Sequence, residues 1–388
     1  MRKLGIGSIV VSALLLVSLS PATGAPSKAE SLPIPITLPV AQTGTITFAN
    51  AEANFAAIPQ AAWKRTQDVI AANSAVNVPT DIQIGPNTKA SKTAITDGLD
   101  RINKLFAGFR HVSAYAGIVY NAKDLNWAQS ATAAYLKKQK VSGGSASAES
   151  TKRSSEAGCE IQGGKAINCY GGMSWDLRDT KSQAGGSWYG VETVVVDGKP
   201  LDFWTDENKK SGAMTQVTHE ATHNYQITQF FYTPLGKGQN RSNDLSRAFV
   251  PWWFGEGHAN AIGIATFLDS FDAYSGARSQ NITRNPGSRT KLPAFNASAL
   301  KTLLTSKGVA SPENPNYALG YSIGYAAVEA LVAIGGPQAT LALYTLGAKG
   351  QKWETAFKNV YGITWDEGAT VLSKVLAAEY AVNPISNS

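Results

Sequence analysis

The chain predicts an α+β fold, with a mixed sheet and a motif-bearing helix in its N-terminal half and a helical C-terminal lobe. Three observations predict it. Alternating apolar runs bounded by turn residues fall before residue 200. Helical periodicity, with proline openers and glycine stops, dominates from Ala297 onward. A pair of histidines at helical spacing lies where the two patterns meet.

Taken in order, Arg2-Lys3 precedes the apolar run Ile9 to Val17, and Pro21 with small residues follows. That pattern reads as a secretory signal peptide over residues 1–29, too short for a comfortable membrane span. Cleavage after Gly24, Ala25 or Ala29 fits equally well, and the expected location is secreted or extracellular. No other apolar run is long enough to cross a bilayer, so no transmembrane segment is expected in the mature chain. Residues 30–157 form an N-terminal α/β region of unassigned role. Its Pro/Thr-rich start, 31–44, reads as extended. A helix over 51–72 has Phe55, Ile58, Trp63 and Ile70 as apolar points. Then come a strand over 81–85, an amphipathic helix over 95–109, a strand over 115–120 and a helix over 125–138. Residues 141–157 are Ser/Gly-rich and read as a loop.

Residues 158–388 form the second region. It opens on the two cysteines, Cys159 and Cys169. In an exported chain an even count at this spacing argues for one disulfide, stabilising by roughly 2–3 kcal/mol. A strand over 191–196 ends at the Asp197-Gly198 turn signal. The run Ala213 to Thr218 then leads, free of proline, into His219-Glu220-Ala221-Thr222-His223, with Pro234 as the stop. Pro251 opens a second helix carrying Trp253-Phe254-Gly255-Glu256-Gly257-His258-Ala259. The run Tyr317 to Tyr325 leads into an apolar helix ending at Gly335-Gly336, Pro337 opens another, and Thr364-Trp365-Asp366-Glu367 is a capping box.

The chemistry sits in the first two of these helices. Residues four apart lie one turn above each other on one face, so His219 and His223 can reach a single ion with Glu220 beside them. That pattern suits tetrahedral Zn²⁺ held by two nitrogens, a third protein ligand and a water. The chain has four histidines, so three of them between 219 and 258 is a concentration that calls for an explanation. The bland alternative is a buried helix whose histidines only satisfy each other's hydrogen bonds. Glu256 argues against it: a carboxylate in so apolar a segment is costly unless paired or bound to metal. Asn260, one turn on, can hydrogen-bond the outer nitrogen of a ligating histidine and fix its tautomer. His258 points roughly 200° away from Glu256 around the helix and should miss the ion, as a partly exposed polar residue. His111 stands apart from any ligand spacing and reads as structural.

H-E-x-x-H followed by W-F-x-E-G-x-A resembles the gluzincin metallopeptidases, the group that includes thermolysin and aminopeptidase N. The E-G-x-A form is closer to the aminopeptidase-N branch, but the stretch between His223 and Glu256 is longer than in that branch. The chain therefore reads as a relative of the group. The resemblance spans Val217 to Leu331 and implies a thermolysin-like catalytic domain, with one Zn²⁺ on His219, His223 and Glu256 and Glu220 as general base. It also implies an oxyanion-stabilising tyrosine, Tyr317 first and Tyr321 next; stacking into a helical core is the alternative for either.

The expected activity is hydrolysis of a peptide or protein substrate by metal-activated water. Two other readings compete: a zinc amidase acting on a non-peptide or cell-wall amide, which would use the same residues, and a non-catalytic binding or surface protein on a retired peptidase fold, against which stands the intact set of ligands and base. Charge adds little. The formal net charge is +7, but Arg2, Lys3 and Lys28 fall inside the expected leader, and charged residues make up only 16% of the chain. No basic stripe or aromatic platform points to nucleic acid.

Overall fold

The structure is a computed structural model. It describes residues 32–74, 76–87, 91–111, 115–121, 124–138, 160–162, 165–167, 175–177, 188–189, 192–196, 215–230, 239–284, 286, 290–308 and 314–385. The expected leader, the 141–157 loop, Cys159 and Cys169 lie outside the described residues.

Helix α1, Ile58–Ala72, takes Pro59 in its first turn, where a missing N–H costs nothing. The sequence placed its start earlier, at Ala51. Two asparagines explain the delay, because their side chains offer the backbone local partners that compete with a helix. Thr47 N donates to Asn50 Oδ1 at 2.8 Å, and Asn54 Nδ2 donates to Asn50 O at 2.9 Å. Strand β1, Thr80–Ile84, is followed by α2, Lys92–Leu105. Ser91 caps α2 by accepting from Ala94 N, and the helix ends four residues short of the expected Phe109, before the positive-φ Gly108.

Strand β2, Tyr115–Asn121, pairs parallel with β1 from Thr80↔Tyr115 to Ile84↔Val119. A parallel neighbour needs a crossover, and α2 supplies it. Helix α3 spans Leu125–Lys138. Short strands follow: β3 Glu160–Gln162 and β4 Lys165–Ile167, which form their own antiparallel pair, then β5 Trp175–Leu177, β6 Trp188–Tyr189 and β7 Glu192–Val196. β7 joins β2 in parallel, and β5 pairs antiparallel with both β2 and β6. The sheet is therefore mixed but small, and the molecule is helix-rich rather than evenly divided between sheet and helix.

The helices that follow are α4 Thr215–Phe230, α5 Gln239–Phe249, α6 Phe254–Phe267, α7 Phe271–Ile282 and α8 Ala297–Thr305. A 3-10 turn, Tyr317–Tyr321, leads into α9 Ile323–Gly335, α10 Pro337–Ala348, α11 Trp353–Tyr361 and α12 Trp365–Val382. Neither α5 nor α7 was legible in the sequence. One continuous apolar core runs from Ile46 to Ile385. Its axis is α6 and α9, buried on nearly every side. Residues 317–335 are long and apolar enough to cross a bilayer, against the expectation that no run beyond the leader is. That window is 83% buried inside the protein, as a core helix is.

Two glycines let α6 cross its neighbours at backbone contact. A Cβ on Gly257 would stand 2.4 Å from the carbonyl carbon of Gly324 in α9, and one on Gly263 would stand 2.7 Å from the backbone nitrogen of His219 in α4. Three further ties close the fold. Val40 N donates to Val360 O at 2.8 Å, and Phe48 packs edge-on against Phe357 and Tyr361. Arg65 Nη1 donates to the last carbonyls of α9, Ala333 O at 3.0 Å and Ile334 O at 2.6 Å. Arg278 of α7 bridges Glu329 of α9 at 2.8 Å and Glu379 of α12 at 3.0 Å.

Candidate metal centre

Helix α4 buries Val217, Ala221 and Tyr225. That face turns inward, as their four-residue spacing implies, and the anchoring fixes the direction of His219 and His223. Tyr225 Oη donates to Asn103 of α2 at 2.9 Å. Across the Gly263 contact, α6 brings Glu256 in from its first turn, where the helix dipole favours negative charge. Glu256 is 4% exposed.

The three ligand candidates meet. His223 Nε2 lies 3.2 Å from His219 Nε2 and 3.2 Å from Glu256 Oε2, and His219 Nε2 lies 3.4 Å from the same oxygen. Ligand atoms about 2.0–2.1 Å from a tetrahedral ion stand about 3.3–3.4 Å apart, so this triangle has the size a zinc-like ion requires. The donors, two imidazoles and a carboxylate, have the chemistry such an ion takes. Among the described residues these three form a group able to hold one metal ion. Glu220 Oε1 sits 4.0 Å from His219 Nε2, at the edge of the triangle.

The three side chains balance one another's charge. Burial opposes charge on Glu256, yet His223 and His219 hold its carboxyl well below the usual carboxylate range. Burial likewise opposes charge on His223. Glu256, acting by charge and by hydrogen bond, overrides it, and with Glu220 and Gln226 lifts His223 to about 9.

Both imidazoles are held from behind. His219 Nδ1 is 2.8 Å from Asn260 Oδ1, the contact looked for in the sequence, while Asn260 Nδ2 donates to Tyr321 O at 3.2 Å. His223 Nδ1 is 3.0 Å from Gln226 Oε1. Gln226 was missed, although a glutamine three residues past the second histidine shares its helix face. The Tyr317 hydroxyl donates to Glu256 Oε1, the oxygen not facing the histidines. That contact places Tyr317 to orient the carboxylate, a task beside the oxyanion role expected for it. Tyr321 stacks on the His219 ring at 6.3 Å and 10°.

His258 corrects the sequence reading. It does point away from the ion site, but it is fully buried rather than partly exposed. Its ring stacks on Phe254 at 5.5 Å and packs beside Phe106 and Tyr344. Burial, with the His223 charge second, depresses its pKa to about 3, so it is neutral. Burial of the far face of α6 depends on α10, which the α6 sequence does not encode. His111 is exposed, with no place in the centre.

What the chain itself shows is therefore a His₂Glu group that could hold one metal ion, set between two helices locked at glycine contacts. Comparison with known protein families, with curated proteins and with solved structures finds no match in any of the three.

Proposed function

We propose that the protein is a secreted zinc-dependent peptidase that cleaves peptide bonds in a peptide or protein substrate. The observation that carries this is the His219–His223–Glu256 triangle, closed to tetrahedral size with Glu220 at its rim. Zinc held there would supply Lewis-acid chemistry and lower the pKa of water towards 7. His219, His223 and Glu256 would hold the ion, through two nitrogens and one carboxylate oxygen. Glu220, with its side chain 17% exposed, accepts the proton of the attacking water and returns it to the leaving amine. Asn260 and Gln226 hold the two imidazoles, and Tyr317 holds the Glu256 carboxylate.

The assignment to a thermolysin-like lineage rests on the order of three elements: the H-E-x-x-H helix, the glutamate helix and the tyrosine turn. Secretion rests on the character of residues 1–29. The test is metal analysis with a peptide-library digest of wild type and Glu220→Gln. We expect one zinc per chain in both, with turnover lower by about 100- to 10,000-fold in the variant. Equal hydrolysis by the two would remove Glu220 from the mechanism, and metal-free protein after purification without chelator would remove the centre.

A further inference from the structure

The hydrogen bonds behind His223 do not end at Gln226. Gln226 Nε2 lies 3.1 Å from the Gly255 carbonyl and 2.9 Å from His258 Nδ1. On the far side of the ring, His258 Nε2 lies 2.8 Å from Thr340 Oγ1 in α10, and that hydroxyl donates to Pro337 O at 2.6 Å. Each link has one permitted direction. A carbonyl only accepts, so the Gln226 atom facing Gly255 is the nitrogen and its oxygen faces His223. The second hydrogen of that nitrogen needs an acceptor, which makes His258 Nδ1 unprotonated and His258 Nε2 the donor. Thr340 can accept that proton because its own goes to Pro337 O.

We infer that His258 is a positioning residue for the metal centre: acting through Gln226, it holds the proton of His223 on Nδ1 and so turns the Nε2 lone pair toward the ion. This rests on reading the cluster as a metal site and not on peptidase activity. Without an acceptor at position 258, one Gln226 hydrogen would be buried without a partner. The Gly255 carbonyl alone would then orient the amide, and the hold of Gln226 Oε1 on the His223 Nδ1 proton would loosen. The Nε2–H tautomer, which cannot bind metal until it rearranges, would gain population. The arrangement parallels the one behind His219, where Tyr321 O orients Asn260 in the same sense. Orienting groups of this kind alter metal affinity by about 10- to 100-fold when removed.

The experiment compares His258→Phe with His258→Asn in the full chain. Phenylalanine keeps a ring in the aromatic nest but offers no acceptor, whereas asparagine restores an acceptor near the Nδ1 position. Zinc affinity, read by competition with a chromophoric chelator, should fall by about 10- to 100-fold in His258→Phe and recover in large part in His258→Asn. Folding of both is followed by circular dichroism. Wild-type affinity in folded His258→Phe would overturn the proposal, as would equal losses in both variants. Nitrogen-15 chemical shifts of the histidine rings in metal-free wild type, taken above the His223 pKa of about 9 so that the ring is neutral, need no variant. They should show His223 protonated at Nδ1 and His258 at Nε2, and the reverse tautomer at either residue would overturn the proposal even if no variant folds. A chain that binds zinc but cleaves no peptide would fail the peptidase reading and leave this one standing.

Discussion

Glu256 meets the two imidazoles on one oxygen and the Tyr317 hydroxyl on the other. Exchange of Glu256 for Ala should therefore abolish stoichiometric zinc while the fold persists, as measured by metal analysis beside circular dichroism. Exchange of Tyr317 for Phe separates two roles for the hydroxyl. If it orients the ligand, zinc affinity should drop by about tenfold or more. If it stabilises the transition state, kcat should fall at unchanged zinc affinity. The ligands and Asn260 were legible because a helix converts sequence spacing directly into a shared face. Gln226 was open to the same argument, as it shares the face of His223; His258 was not, because its partners Gln226 and Thr340 stand on two other helices.

Gly257 and Gly324 set how closely the glutamate helix approaches α9. A methyl group at Gly257 meets backbone on the other side, so no side-chain rotation can relieve the clash. Gly257→Ala should cost about 1–3 kcal/mol in urea unfolding and weaken zinc binding as well, because Glu256 is the adjacent residue. The α12 cap is a control. Thr364 Oγ1 accepts from Glu367 N, and Glu367 Oε2 accepts from Thr364 N. Thr364→Ala should cost about 1 kcal/mol and leave zinc affinity unchanged. Thr364's hydroxyl and backbone N–H hold the Glu367 pKa below its ordinary 4.5. A lowered acid contributes stability above the unfolded pKa and loses it as pH falls through the folded one. The cost of Thr364→Ala should therefore shrink in acid, which unfolding curves at pH 3 and pH 6 would show. This box and the Pro337 opener were readable from sequence as local chemistry. Helices α5 and α7 were not, since QNRSNDLSRAF and FDAYSGARSQNI carry few apolar residues to mark a buried face.

At the scale of the molecule, a buried ionic knot fastens α7, α9 and α12 behind the metal helices. Arg278 is shared by Glu329 and Glu379, and Tyr274 Oη donates to Glu329. Removing the cation leaves two buried carboxylates without their partner, so Arg278→Leu should destabilise by about 3–5 kcal/mol in denaturant unfolding. The helical lobe was legible because its long apolar segments leave few alternatives to a packed bundle. The size of the sheet was not, because every described strand but β2 has only two to five residues, too little alternation to reveal which of them pair.

The Phe48 and Val40 contacts have a consequence for how the chain folds. Their partners, Phe357, Tyr361 and Val360, stand roughly 300 residues further along, so this side of the core closes only when distant segments meet. Pairings of such separation form slowly, and this seam is expected to lock late in refolding.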